Sequence, residues 1–373
     1  MLINKNYLKT IDFNLIAIVL VLFTAGLIMI TSATDAHLVG MTREVRNQIL
    51  GFVIGVTALL VAMSFDYKTF KDFHRIVYVL SILIMLTVYI PGLGVVQFGA
   101  RSWIDLKVLY FQPAEIAKLG FILTYAHLLE ERKDQFDSLK SLIAPILHLA
   151  PFVLLLLLQP DLGTALVFVF IAIGMLFCAG LSFKLIFGGI ITAAISLPIA
   201  YMNMLPHQRL RIDAFLNPND PTLQGNYQVM QSKITIGSGM FLGRGLFNGV
   251  YHRYDYLPVR ETDFIFAVLG EEFGFVGCAF IIFMYFLLMM RMLTISIKSK
   301  DDYGSLVVIG VVFMFAFQIF ENIGMTMGIM PVTGVTLPFL SYGGSSLITS
   351  LLAIGLVLNV YMRRMRGSFL YMD

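Results

Sequence analysis

Residues 257–272 read Leu-Pro-Val-Arg-Glu-Thr-Asp-Phe-Ile-Phe-Ala-Val-Leu-Gly-Glu-Glu and place three acids, Asp263, Glu271 and Glu272, at and just beyond the start of a long apolar stretch. Almost everywhere else the chain keeps charge out of its apolar segments. An ionisable group at membrane depth is costly, so it usually faces a polar cavity and has a job there. Asp263 follows a polar segment and opens a span, which puts it at a membrane interface. Two uses fit that position: a first-turn acid favoured by the helix dipole, with Thr262 as an equally good cap, or a carboxylate held where a lipid-anchored substrate presents its polar head. Asp263 is the candidate catalytic residue. Glu271 and Glu272 lie about two turns deeper, where an internal polar network, paired with a basic residue on another span, accounts for them.

Three further constellations could carry chemistry. In Gln112-Pro113-Ala114-Glu115-Ile116-Ala117-Lys118, the spacing puts Glu115 and Lys118 on one helix face, close enough for an ion pair. Mutual neutralisation explains two charges near a membrane as well as a phosphate site built on Lys118 does. Gly99-Ala100-Arg101-Ser102-Trp103-Ile104 supplies an arginine in a small-residue turn and the chain's one tryptophan, an interfacial anchor or a sugar and phosphate contact. Residues 331–346, Pro-Val-Thr-Gly-Val-Thr-Leu-Pro-Phe-Leu-Ser-Tyr-Gly-Gly-Ser-Ser, are rich in Gly, Pro and hydroxyls, with Ser341 and Ser345 as candidate substrate contacts. Bent backbone of this kind survives at membrane depth only inside protein or along a wet cavity, though small residues also make tight helix-packing surfaces.

The elements that must position these residues follow from composition. The chain has 373 residues, 58% hydrophobic and 13% charged, with a mean hydropathy of +0.84. Soluble domains sit near about 45–50% apolar and about 25% charged, so this is an integral membrane protein. A net charge of +3, with dispersed basic residues, does not suggest nucleic acid. Cys178 and Cys278 lie in apolar runs and read as buried thiols. No HExxH, CxxC, Walker A loop or GxSxG occurs, which disfavours zinc hydrolysis, P-loop ATP use and serine-hydrolase chemistry.

A span needs roughly 20 apolar residues to cross about 30 Å of hydrocarbon. Spans are expected near 13–33, 47–64, 73–91, 111–129, 142–158, 162–180, 183–202, 264–292, 305–325 and 340–362. The first is too long for a signal-peptide core and is read as uncleaved. As one helix, 142–180 would reach about 60 Å, and Gln159-Pro160-Asp161 divides it. The expected fold is therefore an all-α polytopic membrane protein of about ten transmembrane helices, a single domain over 1–373. With the N-terminus inside, Lys5, Lys9, Lys68, Lys71, Arg75, Arg132, Lys133, Lys140, Lys184, Arg291, Lys298, Lys300, Arg363, Arg364 and Arg366 are cytoplasmic, against Arg43, Arg46, Arg101 and Lys107 outside. That asymmetry puts both termini in the cytoplasm. It leaves the one large loop, about 203–262, outside. Its length suggests function. It holds turn chemistry at 216–221, a helix-like stretch from Tyr227 to Ile236, and Gly237-Ser238-Gly239 and Gly243-Arg244-Gly245, which offer backbone freedom and exposed amides.

The segments LPVRETDFIFAVLGEEFGFVG, QPAEIAKLG, GARSWI, QPDLGTA, NYQVMQSKITIGSG and NIGMTMGIMPVTGVTLPFLSYGGSS resemble, in order and spacing along nearly the whole chain, the SEDS family of bacterial cell-wall proteins. The long run ending in SYGGSS is closer to the branch serving rod elongation than to the division branch, with a sporulation branch as the alternative. The resemblance implies a ten-helix fold in the bacterial cytoplasmic membrane and a peptidoglycan glycosyltransferase using lipid II and undecaprenyl-linked glycan. It puts the essential aspartate at Asp263, the fourth-span charged pair at Glu115 and Lys118, and the outer tryptophan motif at Arg101 and Trp103. Val259-Arg260-Glu261 departs from the usual wording before TDF, so Glu261 receives no catalytic role.

Such a transfer needs one base and positive charge for the departing pyrophosphate, from Lys118, Arg101, Arg209, Arg211, Lys233 or Arg244. A divalent cation (Mg or Mn) bridging Asp263 to the phosphates is an alternative role for that carboxylate, and no other cofactor is expected. The implied partners are a class B penicillin-binding transpeptidase and membrane lipids. A lipid II flippase is the rival reading, and a non-catalytic scaffold a third. A flippase needs charge across the whole bilayer, whereas here Asp263, Arg101 and the large loop gather on the outer side.

Overall fold

In a computed structural model of the chain, the described residues are 11–97, 100–107, 110–204, 206–218, 220, 223–250, 254 and 256–364. Lys5, Lys9 and Arg366 of the orientation argument, and Gly99, Asn219 and Pro221 of the loop motifs, lie outside them.

Hydrocarbon offers the backbone no hydrogen-bond partner, so the apolar runs close their own bonds as helices. They are α1 (Phe13–Ala33), α2 (Arg43–Ser64), α3 (His74–Leu86), α4 (Pro113–Glu130), α5 (Ile143–Leu158), α6 (Leu162–Cys178) and α7 (Phe183–Met202). Two helices of the large loop follow, α8 (Pro206–Leu216) and α9 (Gln224–Ser238), then α10 (Ile265–Ile297), α11 (Asp302–Thr326) and α12 (Gly344–Arg363). Local chemistry sets several starts. Asp12, Asp161 and Asp301 accept hydrogen bonds from the amides of Leu15, Thr164 and Gly304, and Pro113 opens α4. Gln159-Pro160-Asp161 separates α5 from α6 as the sequence predicts.

Among the described residues six helices are long and apolar enough to cross a membrane: α1, α2, the run Leu139–Leu158 containing α5, α10, α11 and α12. Three shorter apolar helices lie at His74–Tyr89, Leu162–Cys178 and Phe183–Ser196. Helix α4 carries Glu115, Lys118 and Glu130 within its 18 residues. The protein is a mostly helical membrane protein. Helices α11 and α12 form its centre, with 72% and 83% of their apolar windows buried against 17–39% for the other four. The exposed apolar side chains of the outer helices, such as Val53, Leu80, Ile146, Ile190 and Phe283, face what would be lipid.

Two features depart from the expectation. The all-α reading misses a three-stranded antiparallel sheet between α3 and α4: β1 (Gly94–Gln97), β2 (Ala100–Asp105) and β3 (Tyr110–Phe111), in the order β1-β2-β3. Val95 pairs with Trp103, and Ile104 with Phe111. Strands this short carry too few residues for their two-residue period to stand out beside 20-residue apolar runs. The second departure is in α10, which is broken at Gly274 (φ 62°) rather than continuous. The loop after α9 covers the break: Phe275 and Val276 amides donate to the carbonyls of Met240 (2.9 Å) and Phe241 (3.2 Å). Only glycine suits the site, because a Cβ there would lie 2.8 Å from the Phe241 carbonyl group.

Candidate active site

Asp263 sits half-buried just ahead of α10, after a tight turn in which the Val259 carbonyl accepts from the amides of Thr262 (3.3 Å), Asp263 (3.2 Å) and Phe264 (3.4 Å). Val259 holds φ 55°, a left-handed conformation costly for a β-branched residue. Backbone strain of this kind persists only where surrounding structure enforces it. Here the 331–343 segment does so. The Ser341 hydroxyl donates to the Thr262 carbonyl (2.7 Å) and accepts from the Leu337 amide (2.9 Å). The Tyr342 amide donates to the Glu261 carbonyl (2.9 Å). Asn322 on α11 donates to the carbonyls of Asp263 (3.0 Å) and Val335 (2.8 Å), and so binds the two segments together. Gln48 of α2 steadies the far end, donating to the Ser341 carbonyl (3.2 Å) and accepting from the Gly343 amide (3.2 Å).

The carboxylate itself faces Gly334, where a Cβ would lie 3.6 Å from Asp263 Oδ2. Gly334 is exposed and has φ 79°, so this approach to the acid stays open. Burial pushes the Asp263 carboxyl up to about 6, against the opposing pull of the Thr262 hydroxyl and the Arg211 charge, with Glu261 adding slightly upward. A base poised near neutrality is what proton abstraction at physiological pH needs. Arg211, from α8, donates to the Thr333 carbonyl (3.4 Å). With Lys233 and Asn226 of α9 and Gly328, Met330, Pro331 and Val332 it lines a small cleft of about 30 Å³. Two loop cations thus stand beside the segment that runs past Asp263.

A polar chain ties α4 to the same segment. Ser345 accepts from the Gln112 amide (2.9 Å), Gln112 donates to Asp161 Oδ2 (3.0 Å), and Thr336 shares a hydrogen bond with Ser346 (2.8 Å). One turn on, Lys118 Nζ and Glu115 Oε1 are 2.7 Å apart, with side chains 1% and 9% exposed. Burial of that degree makes the pair neutralise itself first, whatever else it contacts.

The family model for the cell cycle proteins FtsW, RodA and SpoVE matches residues 13–366. The chain belongs to this family. It is 38% identical to the stage V sporulation protein E of Bacillus subtilis (strain 168) over 355 residues, 94% of the chain and 96% of that protein. It is 35% identical to the peptidoglycan glycosyltransferase MrdB of Escherichia coli (strain K12), covering 95% and 94% of the two chains. It also superimposes with a TM-score of 0.83 on a chain solved in a study of how a peptidoglycan synthase complex coordinates polymerisation and crosslinking, at 32% identity over 95% of this chain and 99% of that one.

The remaining predicted residues of this SEDS protein fall in distinct places. Arg101 and Trp103 lie on β2, in the sheet that leads through β3 to Gln112 and α4, and Arg101 Nε is buried without a hydrogen-bond partner among the described residues. Arg209 turns away from the cleft. It donates to the carbonyls of Tyr201 (3.2 Å) and Met202 (2.6 Å) and lies over the Tyr201 ring, closing the C-terminal end of α7. Exposed Arg244 donates to the Ser238 carbonyl (3.3 Å).

The glycine-rich stretch around Arg244 does not offer the free amides expected of it. Gly243, Arg244 and Gly245 donate to the carbonyls of Gly239 (2.7 Å), Glu271 (2.9 Å) and Glu272 (3.0 Å). Glu271 and Glu272 prove to be loop anchors. Glu271 accepts from the Val250 amide (2.6 Å), and Glu272 from the Phe247 amide (3.1 Å) and the Ser32 hydroxyl of α1. Sequence reasoning quoted Asn322 and Thr333 only inside longer motifs, gave neither a role, and passed over Glu321. Each is a polar residue in or beside an apolar span, and that was the available signal.

Proposed function

We propose that this chain is a peptidoglycan glycosyltransferase that polymerises lipid II into glycan strands on the outer face of the cytoplasmic membrane during cell elongation, releasing undecaprenyl pyrophosphate. The observation that carries the reading is Asp263, an acid poised near neutrality at an open approach, with Arg211 acting on its charge.

Asp263, ionised, takes the proton of the acceptor sugar's 4-hydroxyl. The freed oxygen attacks the anomeric carbon of the donor, and the bond to pyrophosphate breaks with its electron pair on the leaving oxygen. One in-line displacement turns the α-linked donor into a β-linked product. Pyrophosphate leaves without protonation, so the second acid of a glycosidase is not required. In this reading Arg211 and Lys233 receive its charge, with Arg101 and Lys118 as further cations and Trp103 and Glu115 as sugar and headgroup contacts. Arg209 and Arg244, engaged with the carbonyls of Tyr201, Met202 and Ser238, and the buried Ser341 and Ser345, which serve the hydrogen bonds of the 331–346 segment, are not part of it. A positioned base supplies about 10²–10⁴-fold, and the rest falls to charge stabilisation and orientation.

Among the described residues no three metal-binding side chains come together. A magnesium or manganese ion would therefore lean on Asp263 and the substrate's own phosphates, as such ions commonly do. Bound there, it would supply Lewis-acid neutralisation of the leaving group. For the lipid chain, an apolar groove between α1 and α10, about 140 Å³ and lined by Ala25, Ile28, Met29, Leu269, Phe273 and Phe280, runs beside the helix that Asp263 precedes.

In this reading ten helices span the membrane, both termini are cytoplasmic, and residues 203–262 lie outside. A class B penicillin-binding transpeptidase crosslinks the product, which the match to a chain from a synthase complex supports. The 38% identity to a sporulation protein favours, as a second reading, the same chemistry in spore formation. Loss of rod shape on depletion, with sporulation intact, would decide for elongation.

The test is polymerisation of purified lipid II by wild type and D263A, each alone and with the transpeptidase, whose catalytic serine is blocked. Uncrosslinked polymer from wild type and none from D263A is the expected result. No polymer from a folded, intact complex would move the assignment to a lipid II flippase.

A further inference from the structure

Glu321 is a buried acid that takes no part in the mechanism and, unlike Asp12, Glu271 and Glu272, neither pairs with a cation nor anchors the large loop. It lies in α11, 1% exposed, in the interior of a membrane protein. Its Oε1 accepts from the Thr333 hydroxyl (2.8 Å), and its Oε2 is buried with no hydrogen-bond partner among the described residues. A buried carboxyl held by one neutral hydrogen bond is a poor bargain for stability alone, since an apolar side chain of similar size would cost less. Intramembrane ionisable residues are functional candidates by default, and the partner here is Thr333.

What Thr333 touches explains the choice. Its carbonyl accepts from Arg211 (3.4 Å) and lies so close to α6 that a Cβ on Gly163 would come within 2.8 Å of it. The next residue, Gly334, is the one that faces the Asp263 carboxylate. Residues 333–334 are therefore the wall between base and cation. Gly334 has no side chain with which to hold itself. Asn322, the neighbour of Glu321 on α11, fixes the Asp263 and Val335 carbonyls on either side of this wall, but not the wall itself.

We propose that Glu321 is a positioning residue of the glycosyltransferase site: through the Thr333 hydroxyl it fixes residues 333–334 between Asp263 and Arg211. The inference rests on the reading under Proposed function for its kinetic consequence and on the geometry alone for its structural one. An angstrom of displacement at such a site costs about 100-fold in rate.

Two measurements on the full-length protein separate these layers. The first is hydrogen exchange across 331–340 in wild type, E321A, E321Q, T333V and E321A/T333V. The second is kcat and KM for lipid II in the same set. E321A and T333V are expected to speed exchange across 331–336 and to lower kcat about 10–100-fold, with KM within about twofold of wild type. The double variant should be no worse than either single. E321Q keeps an acceptor oxygen and should recover most of both losses. Unchanged exchange in E321A, or losses that multiply in the double variant, would overturn the proposal. Should E321A fail to fold, E321Q against T333V makes the same comparison. Absence of polymer from wild type would reject the glycosyltransferase reading, while the exchange data would still judge the Glu321–Thr333 contact.

Discussion

Replacing Asp263 by asparagine should make the protein more stable at neutral pH while abolishing polymerisation. Burial raises its carboxyl from 3.8 to about 6. The folded protein therefore holds that proton more tightly than the unfolded chain does. Where the folded group's value is raised, wild type loses stability as pH climbs from about 4 to about 6, and the loss is complete above that. A shift of about two units at about 1.4 kcal/mol each gives roughly 3 kcal/mol at pH 7.5. D263N, isosteric and without a charge to bury, escapes the penalty.

The assay is thermal unfolding of wild type and D263N in one detergent from pH 4 to pH 8. The midpoints should meet near pH 4 and diverge by pH 7, with D263N the higher. The wild-type polymerisation rate should rise with pH through about 6, and at pH 5 stand about tenfold below its plateau, because only about a tenth of the base is then ionised. A midpoint difference constant in pH, or a less stable D263N at pH 7.5, would refute a desolvated Asp263.

Three other outcomes follow from the packing. G274A forces a Cβ against the Phe241 carbonyl group at φ 62°, and should cost about 2–4 kcal/mol and expose 239–250 to proteolysis. Unaltered cleavage kinetics would mean the loop does not depend on the break. K118M leaves Glu115 buried and unpaired and should cost about 3–5 kcal/mol in thermal unfolding, whereas E115L/K118M should regain at least half of that. If the regained stability brings back polymerisation as well, the pair has no role at the substrate. E272A removes the acceptor for the Phe247 amide and the Ser32 hydroxyl, and should raise hydrogen exchange at 245–250 while lowering stability by about 2–4 kcal/mol. Exchange equal to wild type would show that other contacts hold the loop.

Much of the scaffold was legible because hydrocarbon imposes one rule on every span. Each apolar run had to become a helix, and Pro160 had to end one, whatever lay around it. Asp263 stood out as a candidate for the same reason, as a charge where charge is expensive. The sheet at 94–111 was not, because its pairing joins residues whose short alternation has no local signature. The break at Gly274 was not, since its freed amides are satisfied by Met240 and Phe241, over thirty residues upstream.

The loop basic residues show the division most sharply. Arg209, Arg211 and Arg244 are alike in the sequence, yet only Arg211 turns to the wall beside Asp263, while Arg209 closes α7 and Arg244 lies on the exposed loop. Which element ends where the sequence decides, through hydropathy and proline, because those costs are local. Which side chains share a site the tertiary structure decides, because an arginine's partner depends on how α8, α11 and residues 331–343 pack, and no residue carries that information alone.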